Sequence, residues 1–340
     1  MLRSLARIWL YRSGGLGLYH RLRNRRQLTI VMFHRVLPET DPRSPEADPA
    51  WTVSPGVFEQ CLDFFRDHYN VISLDDLLSA CENRSRLPDR ALLITFDDGW
   101  ADNEEYALPL LEKRRLPAVL FVVAEGIGQT QLWREAMFRA WRHGRLHNRE
   151  CARLWHAAGS GSPPPHWTKQ TLWSLINCLA GLDTERREAL LLPFLAPGAR
   201  AELLSRGQLS RLRSSGMDIG SHTLTHTPLI WAPDPNEELR ASRQILADLP
   251  PSGKLGPIAF SFPHGLYDSS SIRAARAAGY RLLFTSDATL NSVNDHACGG
   301  GVFGRIPIEA GAIQDQHGRV RPELLALWLF PRSHHAVSFS

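Results

Sequence analysis

Short runs of apolar residues recur along the chain and alternate with segments in which apolar and polar positions repeat at helical spacing. A short, continuous apolar run is typical of a strand that is buried on both faces. Such runs predict strands over residues 28–33, 91–96, 118–123, 217–220, 257–262, 281–285 and 302–308. Helices are predicted between them, over residues 55–68, 73–81, 103–115, 205–215, 236–249 and 270–278. Strands that alternate with helices favour a parallel sheet, and about seven such units favour an α/β barrel that closes on itself.

The stretch from residue 126 to residue 206 interrupts this alternation. Its pattern is helical, with a Ser-Pro-Pro-Pro break at residues 162–165, and it contains Trp133, Trp141, Trp155, Trp167 and Trp173. It is either a structural appendage held together by its tryptophans or a lid over a substrate cleft, since long inserts in compact domains are often functional. The predicted organisation is a basic N-terminal segment (1–27), a barrel (28–125 and 207–312), a helical insertion (126–206) and a C-terminal tail (313–340).

The basic N-terminal segment contains seven arginines, and no acidic residue precedes Glu39. Arg7 and Arg12 interrupt its apolar residues, whereas a secretory signal needs an unbroken apolar stretch, and the segment is too short to span a bilayer. A short basic helix could carry its apolar side chains on one face, namely Leu2, Leu5, Ile8 and Trp9. Such a helix suits peripheral contact with an anionic membrane surface, or it could pack on the barrel as a solvated element. We therefore expect a cytoplasmic or peripheral inner-membrane protein.

Composition narrows the range of functions only slightly. The 340 residues carry a formal net charge of +4. They show no motif or repeated basic–aromatic pattern typical of nucleic-acid binding, so we expect no nucleic-acid partner. The cysteines, Cys61, Cys81, Cys151, Cys178 and Cys298, are odd in number and scattered. This predicts free thiols in a reducing compartment rather than a disulfide framework.

Two adjacent carboxylates, Asp97 and Asp98, follow directly on the predicted strand 91–96. The sequence Asp-Asp-Gly alone is weak evidence of a site, because turns favour Asp and Gly for backbone reasons. At the end of a buried strand, however, neighbouring side chains point in different directions. One carboxylate can therefore bind a metal ion while the other faces the substrate.

Two histidines, His222 and His226, follow the predicted strand 217–220. A pair at this spacing on one helical turn presents two imidazoles on the same face, close enough to bind one ion. The spacing alone is not decisive, because the same spacing recurs at His143 and His147. That second pair is rejected, since neither a strand nor a carboxylate motif accompanies it. With Asp98, the first pair would leave a tetrahedral Zn²⁺ with an open position for water, and Co²⁺ or Ni²⁺ are alternatives.

These two motifs in this order resemble those of the polysaccharide deacetylase family, the NodB-homology or family 4 carbohydrate esterases. Residues 262–268 resemble the third motif of that family, and residues 278–281 resemble a Gly-Tyr-Arg step that precedes its next strand. The resemblance covers most of residues 28–310 outside the insertion. It implies a distorted (β/α)7 barrel and the hydrolysis of N-acetyl groups on amino sugars.

Carried over position by position, the resemblance also implies roles for individual residues. Asp97 would be the general base, beside a metal ion that acidifies water and polarises the acetyl carbonyl. A backbone N–H near Pro263 and His264 would help to hold the oxyanion, and Tyr267 belongs to the same substrate segment. The metal ligands would be Asp98, His222 and His226.

The sequence departs from the family pattern in two places. Ser261 stands where the family has an arginine that orients the base, so another cation would have to serve or Asp97 would be tuned differently; His264 also replaces a tyrosine. The late histidine that serves as general acid is missing from residues 304–308. His34 follows the first predicted strand and resembles the Phe-His start of branches whose motifs are circularly rearranged. We therefore prefer His34 as the acid, with His296 in reserve.

The strand-end positions support one shared site independently of any family. In a parallel barrel the carboxyl ends of all strands lie on one face, so residues far apart in sequence converge there. We expect a metal-dependent hydrolase that removes acetyl groups, preferably N-acetyl, from a polysaccharide, an oligosaccharide or a lipid-linked sugar. The alternatives are an O-acetyl esterase of the same fold, since the chemistry is shared, and a non-catalytic glycan-binding barrel.

Overall fold

A computed structural model describes residues 2–194, 202–249, 257–292, 301–315 and 317–335. The α-helices are α1 (Leu2–Arg12), α2 (Gly15–Arg23), α3 (Pro55–His68), α4 (Leu74–Cys81), α5 (Leu108–Arg114), α6 (Trp133–Arg142), α7 (Asn148–Ala157), α8 (Lys169–Ala180), α9 (Thr184–Leu191), α10 (Arg206–Ser214), α11 (Pro235–Ala247), α12 (Ser269–Ala277), α13 (Ala310–Ile313) and α14 (Pro322–Leu329). The strands are β1 (Gln27–Phe33), β2 (Arg35–Val36), β3 (Thr52–Val53), β4 (Asn70–Val71), β5 (Ala91–Phe96), β6 (Ala118–Val122), β7 (Met217–Ser221), β8 (Ala259–Ser261), β9 (Leu282–Phe284), β10 (Leu290–Ser292), β11 (Val302–Phe303), β12 (Ile306–Pro307) and β13 (His334–His335).

The main sheet is a nearly closed parallel barrel. Its barrel strands follow the order β11-β9-β8-β7-β6-β5-β1, in which each neighbouring pair is parallel. Beyond them, β10 pairs antiparallel with the start of β1. The chain leaves β11, which pairs with β9, and within three residues enters β12, which pairs with β1 on the opposite edge. This short step brings the two edges of the sheet together. The α/β barrel class expected from the sequence is confirmed, while the count of seven units stays a prediction.

The prediction of one continuous strand over residues 302–308 is wrong, because two separate short strands form there. Gly304 lies at the break, where its backbone N–H and carbonyl oxygen bond the side chain of Asn291 at 2.8 and 2.9 Å instead of a neighbouring strand. A Cβ atom on Gly304 would overlap Thr289 Oγ1 and the Asp287 carbonyl oxygen. Glycine therefore allows the close approach that lets Arg305 turn inward at the closure of the barrel.

Both faces of the barrel strands are buried, which explains their continuous apolar runs. On β1, Leu28 and Ile30 belong to one hydrophobic cluster with α4, whereas Val31 and Phe33 belong to another with α3. The C-terminal α14 also packs into the second cluster, and β13 pairs with β10. The residues after 312 thus contribute to the core of the barrel.

The insertion forms a hydrophobic cluster of its own from α6, α7, α8 and α9. Trp173 is fully buried in this cluster. The four other tryptophans of the insertion are partly buried and pack against the cluster. These aromatic side chains stabilise the packing of α6, α7, α8 and α9.

The N-terminal segment forms two helices that are separated at Gly14, which has a left-handed backbone with φ of 80°. Among the residues described, no helix is long and apolar enough to cross a membrane. Cys61, Cys151 and Cys178 are free thiols, but Cys81 is disulfide-bonded. The prediction that all cysteines are free is therefore wrong at Cys81.

Candidate metal centre and active site

Five barrel strands end beside one cavity of about 260 Å³. Because β1, β5, β7, β8 and β9 are parallel, their carboxyl ends lie at the same face of the barrel. The residues that follow these strands and line the cavity are His34, Asp97, Asp98, His222, His226, His264 and Ser286. The convergence expected from the strand-end positions is thus present in the structure.

Asp98, His222 and His226 bring three potential metal ligands together. Nε2 of His222 lies 3.5 Å from Asp98 Oδ1, and Nε2 of His226 lies 3.3 Å from the same oxygen. All three side chains are buried, and one ligand atom from each lies within 4.8 Å of the others. Two imidazole nitrogens and one carboxylate oxygen form a donor set that fits a catalytic Zn²⁺ with an open coordination position.

Neighbouring groups orient each of these ligands. Nδ1 of His222 donates a hydrogen bond to the Ser261 carbonyl oxygen at 2.8 Å, and Nδ1 of His226 donates one to Glu135 Oε1 at 2.7 Å. Since both partners are acceptors, each Nδ1 carries the proton and each Nε2 is left to bind a cation. The indole of Trp100 donates to Asp98 Oδ2 at 2.9 Å, which leaves Oδ1 towards the histidines.

The backbone at the site is strained. Asp98 has φ of 75°, Thr223 of 65° and His226 of 66°, all in the left-handed region that residues with a Cβ rarely adopt. Strain of this kind is held in place only where the surrounding structure dictates it, and it concentrates at functional sites. The turns after β5 and β7 are therefore shaped to aim these side chains.

Burial and neighbouring charges set the protonation of the two histidines in opposite directions. Burial lowers the pKa of His222 to about 4, so this imidazole is neutral near pH 7, as metal binding requires. Burial would also lower the pKa of His226, but the carboxylates of Glu135 and Asp98 outweigh it and raise that pKa to about 9. The carboxylates thus stabilise positive charge at His226, and a bound cation would supply that charge in place of the proton.

Asp97 is held by a buried arginine, Arg305, whose position the strand-end pattern of the sequence does not indicate. Arg305 Nη1 and Nη2 donate to the two carboxylate oxygens of Asp97, each at 2.7 Å. The remaining donors of Arg305 bond Ser261 Oγ at 2.7 Å, the Thr285 carbonyl oxygen at 2.9 Å and Thr95 Oγ1 at 3.3 Å. Burial would raise the pKa of Asp97, but the charge of Arg305 outweighs it and holds that pKa well below its usual range.

Ser261 stands where the resembling family has an arginine, so it supplies no cation beside Asp97. Arg305 supplies that cation instead. Its guanidinium contacts the Ser261 hydroxyl directly, so the small side chain at position 261 leaves room for an arginine that comes from the barrel closure. One signal in the sequence could have found it. Arg305 is a lone charge inside the apolar run of residues 302–308, and a buried charge in such a run needs a partner.

His34, the preferred general acid, lines the cavity and is half-buried. Its ring lies against that of Trp51, with a centroid distance of 4.6 Å, and its carbonyl oxygen accepts a hydrogen bond from Asn103 at 2.9 Å. It lies close enough to Asp97 to help lower the pKa of that carboxyl. The reserve candidate His296 lies outside the described residues. The roles of both histidines stay predictions.

The substrate segment predicted around Pro263 is only partly at the cavity. His264 lines it, with φ of 56° and its ring 4.6 Å from the ring of His226. Pro263 is buried beside it and is not among the described residues that line the cavity. Tyr267 lies apart from the cavity lining, and its hydroxyl donates to Asp287 Oδ2 at 2.6 Å. Burial, followed by the Asp287 carboxylate, raises the pKa of Tyr267 to about 12.

The helical insertion forms one wall of the cavity. The lining residues that it contributes are Glu135, Phe138, Arg139, Arg142, His143 and Lys169. His143 of the rejected histidine pair is thus at the cavity, while His147 caps α7. Neither belongs to the groups of described residues that could hold a metal ion, which are Asp98 with His222 and His226, and Glu135 with His226 and His264.

The chain is similar to known proteins in sequence and in fold. The sequence profile described as polysaccharide deacetylase matches residues 84–283, more than half of the chain. A Bacillus subtilis (strain 168) protein named as the polysaccharide deacetylase YxkH is 27% identical over 120 residues. That stretch covers 35% of this chain and only 40% of YxkH.

Two solved structures share the fold at low sequence identity. The Streptococcus pyogenes deacetylase PplD, in complex with acetate, is 18% identical, with a TM-score of 0.56 over 90% of this chain and 100% of the other. IcaB from Ammonifex degensii is 18% identical, with a TM-score of 0.57 over 89% of this chain and 96% of the other. His34 and Arg305 both lie outside the residues that the profile matches.

Proposed function

The chain belongs to the polysaccharide deacetylase family, and we propose that it is a metal-dependent hydrolase that removes acetyl groups from a carbohydrate. The observation that carries this proposal is the convergence of Asp98, His222 and His226 beside Asp97 in one cavity. A carboxylate base next to a three-ligand site with an open position is the arrangement that metal-assisted hydrolysis requires. The metal is Zn²⁺, with Co²⁺ and Ni²⁺ as alternatives.

A divalent ion at this site would supply Lewis acidity, because it polarises a carbonyl oxygen and lowers the pKa of water towards about 7. Asp97 accepts the proton of the attacking water. Arg305 holds the carboxylate of Asp97 in a bidentate ion pair and keeps it ionised over the working pH range. The backbone N–H next to Pro263 would donate to the developing oxyanion, as the resemblance to the family implies.

His34 is assigned as the acid that protonates the leaving amine, since it lines the cavity at the end of β1. We expect His34→Asn to lower kcat for N-acetyl substrates by about 10²- to 10⁴-fold, because an amine leaves slowly unless it is protonated. Metal content should stay unchanged. The loss should be much smaller for an aryl acetate, whose leaving group needs no proton.

The matched control is His156→Asn, which replaces an exposed histidine of α7. It should retain wild-type rates with both substrates. Equal losses on the N-acetyl substrate and the aryl acetate in His34→Asn would show that His34 is not the acid.

The substrate is proposed to be an acetylated polysaccharide, oligosaccharide or lipid-linked sugar. Trp51 is 37% exposed at the cavity and offers an apolar ring face against which a sugar could pack. N-acetyl groups are preferred, but O-acetyl esters would need the same residues. The deciding experiment is acetate release from N-acetylglucosamine oligomers, O-acetylated sugars and lipid-linked acetamido sugars, with and without chelator. Release that chelator does not inhibit, or no release from any substrate, would contradict the proposal.

Peripheral membrane contact is proposed for α1 and α2. Their exposed large apolar side chains are Leu5, Trp9, Leu10, Leu18, Tyr19 and Leu22, on a segment rich in arginine. Arginines around an apolar face complement anionic lipid headgroups.

The protein should sediment with phosphatidylglycerol vesicles and dissociate from them in about 1 M salt, where charges are screened. It should bind phosphatidylcholine vesicles poorly. The variant Trp9→Ser with Leu22→Ser should bind less, and equal binding to both lipids would contradict charge-driven contact.

A further inference from the structure

Glu135 joins the helical insertion to the candidate metal centre. It lies in the first turn of α6, and its Oε1 accepts the hydrogen bond from His226 Nδ1 at 2.7 Å. The same oxygen lies 3.5 Å from Nε2 of His264, a buried atom that makes no hydrogen bond among the described residues. One carboxylate oxygen therefore faces two imidazoles, although Glu135 is 91 residues away from His226 along the chain.

We propose that Glu135 is a positioning residue for the metal ligand His226, so that the insertion completes the metal site. The inference rests on the proposed function, because it assigns Glu135 a part in the same metal centre. In this arrangement a carboxylate orients an imidazole that binds a metal ion. Glu135 keeps the proton on Nδ1 of His226, turns Nε2 towards Asp98, and makes Nε2 a stronger electron-pair donor to the metal.

The two candidate histidine ligands are oriented from different parts of the protein. His222 donates to the Ser261 backbone carbonyl at the end of β8, so the barrel itself fixes that ring. The hydrogen bond that fixes the ring of His226 goes to a side chain of the insertion. The insertion could therefore alter the metal site without any change in the barrel.

The surroundings of Glu135 restrict its movement. The ring of His264 lies 5.7 Å from that of Trp173 and 6.1 Å from that of Phe138, so two aromatic residues of the insertion close over it. The Glu135 side chain is only 20% exposed, and its Oε1 lies between the rings of His226 and His264. A half-buried carboxylate that bonds one imidazole and lies beside a second has few alternative positions, which is what a positioning residue needs.

The test compares Glu135→Gln and Glu135→Ala with the wild-type protein. Glutamine keeps the shape of the side chain but removes its charge, and alanine removes the contact. The dissociation constant for Zn²⁺ is measured by competition with a chromophoric chelator, and the visible spectrum of the Co²⁺-loaded protein is recorded. We expect the Zn²⁺ dissociation constant to rise about 10- to 100-fold in both variants. The Co²⁺ spectrum should change, and the thermal midpoint of the metal-free protein should stay nearly constant in the glutamine variant.

The matched control is Glu188→Gln, which replaces an exposed glutamate of α9 in the same insertion. It should leave both the dissociation constant and the spectrum unchanged. Unchanged Zn²⁺ affinity in both Glu135 variants would overturn the proposal. Binding of two metal ions by the wild type, with one lost in Glu135→Ala, would also overturn it, because Glu135 would then be a ligand itself.

The outcome for Glu135 can be separated from the outcome for the proposed function. Metal affinity is measured without substrate, so a shift in the Glu135 variants supports the positioning role even if no acetyl sugar is hydrolysed. Acetate release by a wild type whose metal affinity does not depend on Glu135 would support the deacetylase and reject the positioning role.

Discussion

Replacement of His222 by alanine is expected to abolish metal binding and acetate release together. His222 is one of three converging ligands, and its Nε2 lies 3.5 Å from Asp98 Oδ1. Loss of a metal that contributes several kcal/mol of transition-state stabilisation corresponds to a rate decrease of at least about 10³-fold. Asp98→Asn should have the same effect through loss of charge. Asparagine is chosen because it tolerates the left-handed backbone of position 98 better than alanine.

Metal content per folded chain, determined by elemental analysis, and acetate release are measured on the same samples. The rejected pair offers a control with identical spacing, the double variant His143→Ala and His147→Ala, which should keep its metal. Circular dichroism shows whether each variant is folded. Full activity in a His222 variant that holds no metal would refute the proposed mechanism.

Replacement of Arg305 by alanine should reduce both stability and activity. The change removes five hydrogen bonds and leaves Asp97 as an uncompensated charge in the barrel, which costs about 3–5 kcal/mol of unfolding free energy in comparable buried pairs. Because the carboxylate of Asp97 would no longer be held in position, kcat should also fall by about 10²-fold, since small misplacements of a reacting group have effects of that size. Denaturant unfolding and acetate release check the two effects separately.

The stability loss in the Arg305 variant should depend on pH. The pKa of Asp97 is held below its usual range, so the ion pair stabilises the fold at pH above about 4, the ordinary range of an aspartate. That stabilisation is lost as the pH falls through the depressed pKa of Asp97. The difference between wild type and variant should therefore be largest near neutral pH and shrink in acid. A difference that is independent of pH would show that packing, and not the ion pair, accounts for it.

A second-site variant tests the position of the cation. Arg305→Ala combined with Ser261→Arg returns an arginine to the place that it occupies in the family motif, next to the same carboxylate. We expect this double variant to recover part of the lost activity. Ser261→Arg alone should be impaired, because two guanidinium groups would then compete for one buried site. Failure of the double variant to improve on Arg305→Ala would show that position 261 no longer supports the base.

Most strands of the barrel could be predicted from local pattern, because strands buried on both faces need continuous apolar runs. The run 28–33 forms most of β1, and the run 91–96 forms β5 without any shift. The run from Val302 to Ile308 is mostly apolar and by itself predicts one strand. The break at Gly304 depends on hydrogen bonds to Asn291 and on the gap between β9 and β1. Neither can be inferred from the run itself.

For the insertion, too, the sequence pattern predicts the local structure but not the contacts at the candidate site. Its tryptophans indicated a helical unit with a core of its own, which α6 to α9 form. A periodic pattern tells which face of a helix is apolar, but not which neighbour its polar side chains meet. Glu135 and His143 at the cavity therefore became apparent only once the insertion lay against the barrel.

By itself, the sequence determined which side chains stand at the carboxyl ends of strands. This was enough to place Asp97, Asp98, His222 and His34 at one face, because strand ends in a parallel barrel share that face. Only the tertiary structure decided which partners these side chains meet. Arg305 reaches Asp97 across 208 residues, and Glu135 reaches His226 across 91. Opposite charges that lie close together in a low-dielectric interior attract each other strongly. The local periodicity of the sequence does not show which distant residues the fold brings that close.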